Sequence, residues 1–273
     1  MERRFKFGFI GTGVMAGAMI RMAVASGFLR PEDGLLFDVN VPAAEALAEA
    51  TGLAVASSAA EVAQNCTYVQ LGCKPQQMNV LLETIAPYVR DASPVLVSIA
   101  AGVKLAALTA PIGEDTKAVR LMQNINASVG ESMTALCANE NILPQEKTFL
   151  SEYCRSFGKV IELDENAFSA FVALAGSGPA FVYRFIDEMA RAGVLCGLPK
   201  ATALEIAAQT VLGSAKLVRN SPLHPAQLAD NVCSPAGTTI AGVAALEENR
   251  FAFAVIAAVR AAWLRDKELG GAP

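Results

Sequence analysis

The residues best placed to do chemistry fall in two short stretches, one at each end of this 273-residue chain. The first is Gly11-Thr12-Gly13-Val14-Met15-Ala16, a GxGxxA run directly after Ile10. At this spacing the first glycine makes a tight turn, and the second lets the backbone approach a pyrophosphate. The small third residue lets a helix pack closely on a strand. Backbone N–H groups at the opening of that helix then face the phosphates along a favourable dipole. Because the run follows a strand and opens a helix at the start of a βαβ unit, it predicts a nicotinamide dinucleotide site, for NADPH or NADH. Asp38 ends the second apolar strand, where an acid accepts a hydrogen bond from the ribose 2′-hydroxyl. On charge alone it favours NADH, since a 2′-phosphate would be repelled; the alternative is a solvated loop or a cap for the following helix. Cys73-Lys74-Pro75 and Ile99-Ala100-Ala101-Gly102 follow two further strands, at the cleft edge of an open sheet. Small residues there would let a ring or ribose approach, although plain turns have the same composition.

The second stretch is Asn231-Val232-Cys233-Ser234-Pro235-Ala236-Gly237-Thr238-Thr239. A Pro/Ala/Gly turn opening a helix at Thr238 or Thr239 gathers backbone N–H groups and hydroxyls at one spot. That suits a carboxylate, with a hydroxyl spare for a nitrogen; simple helix capping by Ser and Thr accounts for the same residues. The single histidine, His224, lies between Pro222 and Pro225 with no carboxylate partner in sequence, and reads as a satisfied loop residue. No serine stands in a GxSxG elbow. Asp187-Glu188 and Glu247-Glu248 fall on helices among polar neighbours and are expected to face solvent. The six cysteines form no CxxC pair and no histidine cluster, so no metal site is expected, and reduced thiols point to the cytoplasm.

Elements that could position these groups alternate through the first part of the chain. Strands are expected at 5–10, 34–39, 67–72, 95–99, 118–121 and 159–163, with helices at 14–26 and 42–50 and helical segments between later strands. This alternation predicts right-handed βαβ units and a parallel-type sheet covered by helices on both faces. From about Glu165 the pattern is helical, over 167–175, 179–196, 199–220 and 239–269, with breaks at 176–178, 197–199, 221–222 and 234–237. A boundary near 163 divides the chain into 1–163 for dinucleotide and 164–273 for helices. Hydrophobic residues make up 53% of the chain, much of the excess alanine, so the helical part would expose apolar faces unless covered by another subunit. A net charge of −4 argues against a nucleic-acid surface. No membrane span is expected, because the apolar stretch 168–183 is interrupted and shorter than the about 20 residues required. The start, Met1-Glu2-Arg3-Arg4, resembles a signal n-region, but no continuous apolar region follows it.

The order of several motifs resembles pyrroline-5-carboxylate reductase, the last enzyme of proline biosynthesis, over essentially the whole chain. The similar segments are the Gly11 loop, Lys74-Pro75, Val97 to Val103, Gly176 to Phe181, Ala208 to Lys216 and, most specifically, His224-Pro225 through Thr238-Thr239-Ile240. The resemblance implies an N-terminal Rossmann domain and an all-α C-terminal dimerisation domain that interlocks with a second subunit, often in rings of dimers. It implies a substrate carboxylate held by Ser234 and the backbone of Gly237 to Thr239, with Asn231 beside them, and Thr239 as hydrogen-bond donor to the ring nitrogen. Three places differ from the family pattern. Val14 stands for the usual Asn, Met122-Gln123-Asn124-Ile125-Asn126-Ala127 for Met-Pro-Asn-Thr-Pro-Ala, and Ala236-Gly237 for Gly-Gly. Two other readings fit the same architecture. A β-hydroxyacid dehydrogenase would carry a lysine about one turn into a helix after a glycine-rich segment, and 179–185 offers only Arg184. A non-catalytic dinucleotide-binding protein is the reading that the altered 122–127 loop suggests.

Overall fold

The computed structural model describes residues 4–270; the first three residues of the n-region reading lie outside them. In chain order the elements are β1 (Phe5–Ile10), α1 (Val14–Ala25), β2 (Gly34–Phe37), α2 (Val41–Thr51), β3 (Ala54–Val55), α3 (Ala59–Asn65), β4 (Cys66–Leu71), α4 (Met78–Ala92), β5 (Val95–Ser98), α5 (Leu105–Thr109), β6 (Ala118–Met122), β7 (Ser132–Ala138), α6 (Pro144–Arg155), β8 (Gly158–Glu162) and α7 (Phe168–Phe171). The strands form one sheet in the order β3-β2-β1-β4-β5-β6-β7-β8. Strand alternation sorts the core onto two faces. Phe7, Phe9, Leu36, Val97 and Leu121 pack with α1 and α6, whereas Ile10, Leu35, Val69, Leu71 and Leu96 pack with α3, α4 and α5.

The expected strands and first helices form within a few residues of their predicted ends. The expectation of uniform parallel pairing is corrected at one place, since β7 runs antiparallel to β6. Residues 123–131 are too few for the crossover of a dozen or more residues that a parallel partner needs. β7 itself, the two-residue β3 and α3 were not foreseen; Ala59–Asn65 is short and nearly apolar enough to read as a strand lead-in. The chain divides into two compact units, the described residues of Met1–Gly176 with Trp263–Pro273, and Ser177–Ala262. The expected boundary at 163 falls just after β8, and residues 165–176 belong with the sheet.

The helical elements that follow are α8 (Gly178–Leu195), α9 (Lys200–Asn220), α10 (Pro225–Asp230), α11 (Thr238–Glu248) and α12 (Phe251–Gly270). Alanine serves close approach here: Ala190, Ala203 and Ala207 are buried, and a Cβ at Gly193 would lie 2.9 Å from that of Ala203. The single helix expected over 239–269 is instead two, broken at Arg250, whose φ of +58° no helix accommodates. The predicted break at 176–178 is also corrected. The chain passes through a π-helical turn, Val172–Gly176, into α8, and Pro179 occupies the first turn, where its missing N–H costs nothing. The resulting run Glu165–Leu195, 31 residues of mean hydropathy 1.2, is therefore long and apolar enough to cross a membrane, contrary to the expected shortfall. It also carries Arg184 and Arg191 paired with Asp187 and Glu188, charges that a bilayer interior would penalise.

Candidate active site

Register alone aligns the residues expected to hold the cofactor. Ile10 pairs with Phe37 on one side and Leu71 on the other, and Leu71 pairs with Ser98. The segments after those residues, Gly11 to Ala16, Asp38, Cys73 to Pro75 and Ile99 to Ala101, therefore leave the same edge of the sheet. The chain turns back between β1 and β4, the switch point at which open α/β sheets bind ligands.

The two glycines of the loop do different work. Gly11 has φ of +100°, donates its N–H to Phe37 O at 2.8 Å, and a Cβ on it would lie 2.7 Å from the carbonyl carbon of Gly72. Here the chain itself demands glycine. A Cβ on Gly13 would meet nothing, although Gly13 is the N-cap of α1 and offers no side chain to its free N–H groups. The space above it is open to a phosphate, so these residues fit a dinucleotide. Ala16 is buried, and Gly72, whose Cβ would lie 3.2 Å from that of Ala16, completes the close packing of α1 on the end of β4. Gly72 escaped the sequence reading, although a glycine directly after an apolar strand was the available signal. Met15 is half-buried, and Val14 is 82% exposed at the first position of α1.

Asp38 is held rather than free. Its Oδ2 accepts from the Thr12 backbone N–H at 2.6 Å and from the Thr12 hydroxyl at 2.9 Å, and its Oδ1 accepts from the Asn40 N–H at 2.8 Å. Lys74 and Pro75 are exposed, while burial pushes the Cys73 thiol above its ordinary value. Ile99 and Ala100 are buried, with the Ala100 N–H donating to Ser98 Oγ at 3.3 Å, and Ala101 is exposed.

Support for the neighbouring 122–127 loop was not foreseen. Arg120, 7% exposed in its side chain, donates to Glu165 Oε1 at 3.1 Å and lies 4.4 Å from the centroid of the Phe168 ring. The same Glu165 oxygen accepts from the Leu105 N–H. An arginine inside an otherwise apolar strand was the sequence signal for a buried partner.

In the second unit, Ser234 O accepts from the Gly237 N–H at 3.0 Å, closing a turn in which Ala236 has φ of +54°. Gly237 is the N-cap of α11 and no side chain caps that helix, so the N–H groups of Thr238 and Thr239 remain available. Asn231, Ser234, Thr238 and Thr239 are all exposed in the single chain. Capping by Ser234 or the threonines is thus not what this turn does. His224 caps α10 instead, accepting from the Ala226 N–H through Nδ1 at 3.2 Å, as a satisfied loop histidine. None of the six cysteines is in a disulfide, and no metal-ligating cluster occurs among the described residues.

Six parallel strands followed by two that run opposite to them, a glycine loop at the switch point and a following all-helical unit define a Rossmann-type dinucleotide-binding protein with an appended helical domain. Residues 6–102 match the family described as NADP oxidoreductase coenzyme F420-dependent, and residues 165–269 match pyrroline-5-carboxylate reductase dimerisation. The chain is 38% identical to the pyrroline-5-carboxylate reductase of Synechocystis, over 97% of this chain and 98% of the other. It is 39% identical to that of Escherichia coli, over 93% and 94%. The crystal structure of the Plasmodium falciparum enzyme with NADP bound superposes with a TM-score of 0.86 at 31% identity, covering 99% of this chain and 100% of that one. The chain belongs to the pyrroline-5-carboxylate reductase family.

Proposed function

We propose that this chain reduces the cyclic imine 1-pyrroline-5-carboxylate to L-proline, the last step of proline biosynthesis. The observation that carries this reading is the uncapped N-terminus of α11, which Ser234 and two threonines flank in a chain with a dinucleotide loop. NAD(P)H, when bound, supplies the hydride that reduces the imine carbon. Ile10 to Ala16, Asp38, Cys73 to Pro75 and Ile99 to Ala101 are the residues assigned to hold it. Asn231, Ser234, Gly237, Thr238 and Thr239 are assigned to the substrate. Ser234 Oγ and the free N–H groups anchor its carboxylate, and the Thr239 hydroxyl hydrogen-bonds the ring nitrogen. No histidine or carboxylate stands within 231–239. The substrate in its protonated imine form brings the nitrogen's proton, so the chain's task is orientation and carboxylate anchoring rather than proton transfer.

Residues 1–163 are assigned to the dinucleotide and 164–273 to substrate and dimerisation. A homodimer through the C-terminal helices, with a ring of dimers as the larger assembly, is supported by the exposed Tyr183, Phe185, Leu212, Phe253 and Ile256. Cysteines outside any disulfide are consistent with a cytoplasmic protein. The test follows oxidation of NADH and of NADPH in the presence of pyrroline-5-carboxylate, in wild type and Thr239→Ala. Turnover should fall roughly tenfold or more in the variant, the scale of one hydrogen bond to a charged group. No turnover with either dinucleotide would sink the reductase reading, and an unaffected variant would sink the role of Thr239.

A further inference from the structure

The hydrogen bonds around Asp38 have a consequence for which dinucleotide enters. We propose that Asp38 makes this chain select NADH over NADPH, and that Thr12 is the positioning residue that fixes the selecting carboxylate. The proposal rests on the dinucleotide part of the reading above, and concerns this chain's own residues.

Asp38 lies at the edge where β2 ends, directly beside the glycine loop. Three donors hold it: the Thr12 N–H at 2.6 Å and the Thr12 hydroxyl at 2.9 Å on Oδ2, and the Asn40 N–H at 2.8 Å on Oδ1. Thr12 is itself only 8% exposed, so the carboxylate is tied to a rigid part of the loop and cannot swing aside to admit a second anion. A carboxylate has about four acceptor positions. Three are taken, and the one remaining can accept a ribose hydroxyl. A phosphate in the same place offers no donor to it when ionised, and carries about −1.5 to −2 charges at neutral pH.

Selection against a 2′-phosphate needs the absence of cations as much as the presence of an anion. No lysine or arginine occurs between Arg30 and Lys74. The residues after Asp38 that would face such a phosphate are apolar or neutral, with Val39 83% and Val41 53% exposed. The cation nearest in the loop's own cleft is Arg21, which shares that cleft with Thr12, Gly13, Gly17 and Leu47 but stands two turns along α1. Arg21 is exposed.

The test is calorimetric binding of NADH and of NADPH to the intact protein, without imine. Wild type should bind NADH more tightly by roughly tenfold or more, the order expected when a carboxylate faces a phosphate dianion at close range in water. Asp38→Asn keeps the acceptor oxygen and removes the charge, and should cut the preference by about the same factor. Thr12→Val should weaken the preference and Thr12→Ser restore it, because only the hydroxyl returns. NADPH bound as tightly as NADH by wild type would overturn the proposal and turn attention to Arg21. So would a preference that Asp38→Asn leaves unchanged. Binding of neither dinucleotide would overturn the site itself. Selective NADH binding without imine turnover would uphold the proposal while sinking the reductase reading.

Discussion

Ala236 and Gly237 are adjacent, and the structure assigns them opposite responses to the same kind of change. Ala236 has φ of +54°, in the left-handed region, and is exposed, so its methyl group gains nothing from packing. That conformation costs an L-residue roughly 1–2 kcal/mol. Glycine would escape the cost but lose about 0.4–1 kcal/mol through the greater freedom of its unfolded chain. The balance predicts that Ala236→Gly stabilises the protein by about 0.5–1 kcal/mol, which for a chain of this size raises Tm by roughly 1–4 °C. Gly237, by contrast, has an ordinary φ of −79°. A Cβ there would overlap Ser234 Oγ and lie 3.1 Å from Ser234 O. Gly237→Ala should therefore displace the Ser234 hydroxyl, and with it the hydrogen bond to the substrate carboxylate that is proposed for Ser234. Such a bond to a charged group is worth about 1.5–3 kcal/mol, so KM for the imine should rise tenfold or more, with kcat less affected. The assays are thermal unfolding at fixed protein concentration without cofactor, and steady-state kinetics. An unchanged or lowered Tm in Ala236→Gly, or an unchanged KM in Gly237→Ala, would refute the assignment of strain to one residue and crowding to the other.

Gly13→Ala should leave thermal stability within about 0.5 kcal/mol of wild type, because its Cβ meets nothing in the chain; it should nevertheless weaken NADH binding measurably by calorimetry, since it fills the space proposed for the phosphate. Glu165→Ala strands the buried Arg120 without its carboxylate, and should cost about 3 kcal/mol in urea denaturation. Glu61 accepts from the hydroxyl and N–H of Ser57, and the hydroxyl bond chiefly lowers its carboxyl below the ordinary value. Its folded value being depressed, the stability it contributes is present above the unfolded value and lost as pH falls through the folded one. The stability gap between wild type and Glu61→Gln should thus be full at neutral pH and close in acid, as denaturation at several pH values would show.

The parts of the fold legible in the sequence were those where one signal dominated. Phe5–Ile10 ends in a glycine turn, and its neighbour strands are apolar runs with turn residues after them, so strand, turn and helix agreed. β7 was hidden because Ser132–Ala138 mixes Ser, Thr, Ala and Cys, and its pairing with β6 depends on a connection length rather than on residue type. The helix break at Arg250 was hidden because no glycine or proline marks it. In the site, residue types located the two stretches, but not how they are held. Thr12 reads as a filler between two glycines, and only the register that brings β2 beside β1 shows its hydroxyl on Asp38.

The same distinction applies to the altered loop at 122–127. The positions that keep the family's residues are the ones the fold leans on. Asn124 donates its N–H to Ser132 Oγ and its side-chain amide to Ala175 O, and its Oδ1 and O accept from the N–H groups of Asn126 and Ala127. Ala127 is fully buried against the face that packs α1. Of the positions that differ, Ile125 is exposed and lines the same cleft as Val14, the other departure from the family pattern, so two polar-to-apolar changes border one space. Gln123 is buried, and its Oε1 lacks a partner among the described residues, a cost of about 1–3 kcal/mol that a proline there would avoid. The loop is therefore anchored by the retained Asn124 and Ala127, while of the exchanged residues Ile125 lines the cleft and Gln123 is buried. Ile125→Thr should therefore leave stability within about 0.5 kcal/mol of wild type, because the exchanged side chain is exposed, whereas Asn124→Ala should cost about 1–3 kcal/mol in urea denaturation by stranding its buried partners.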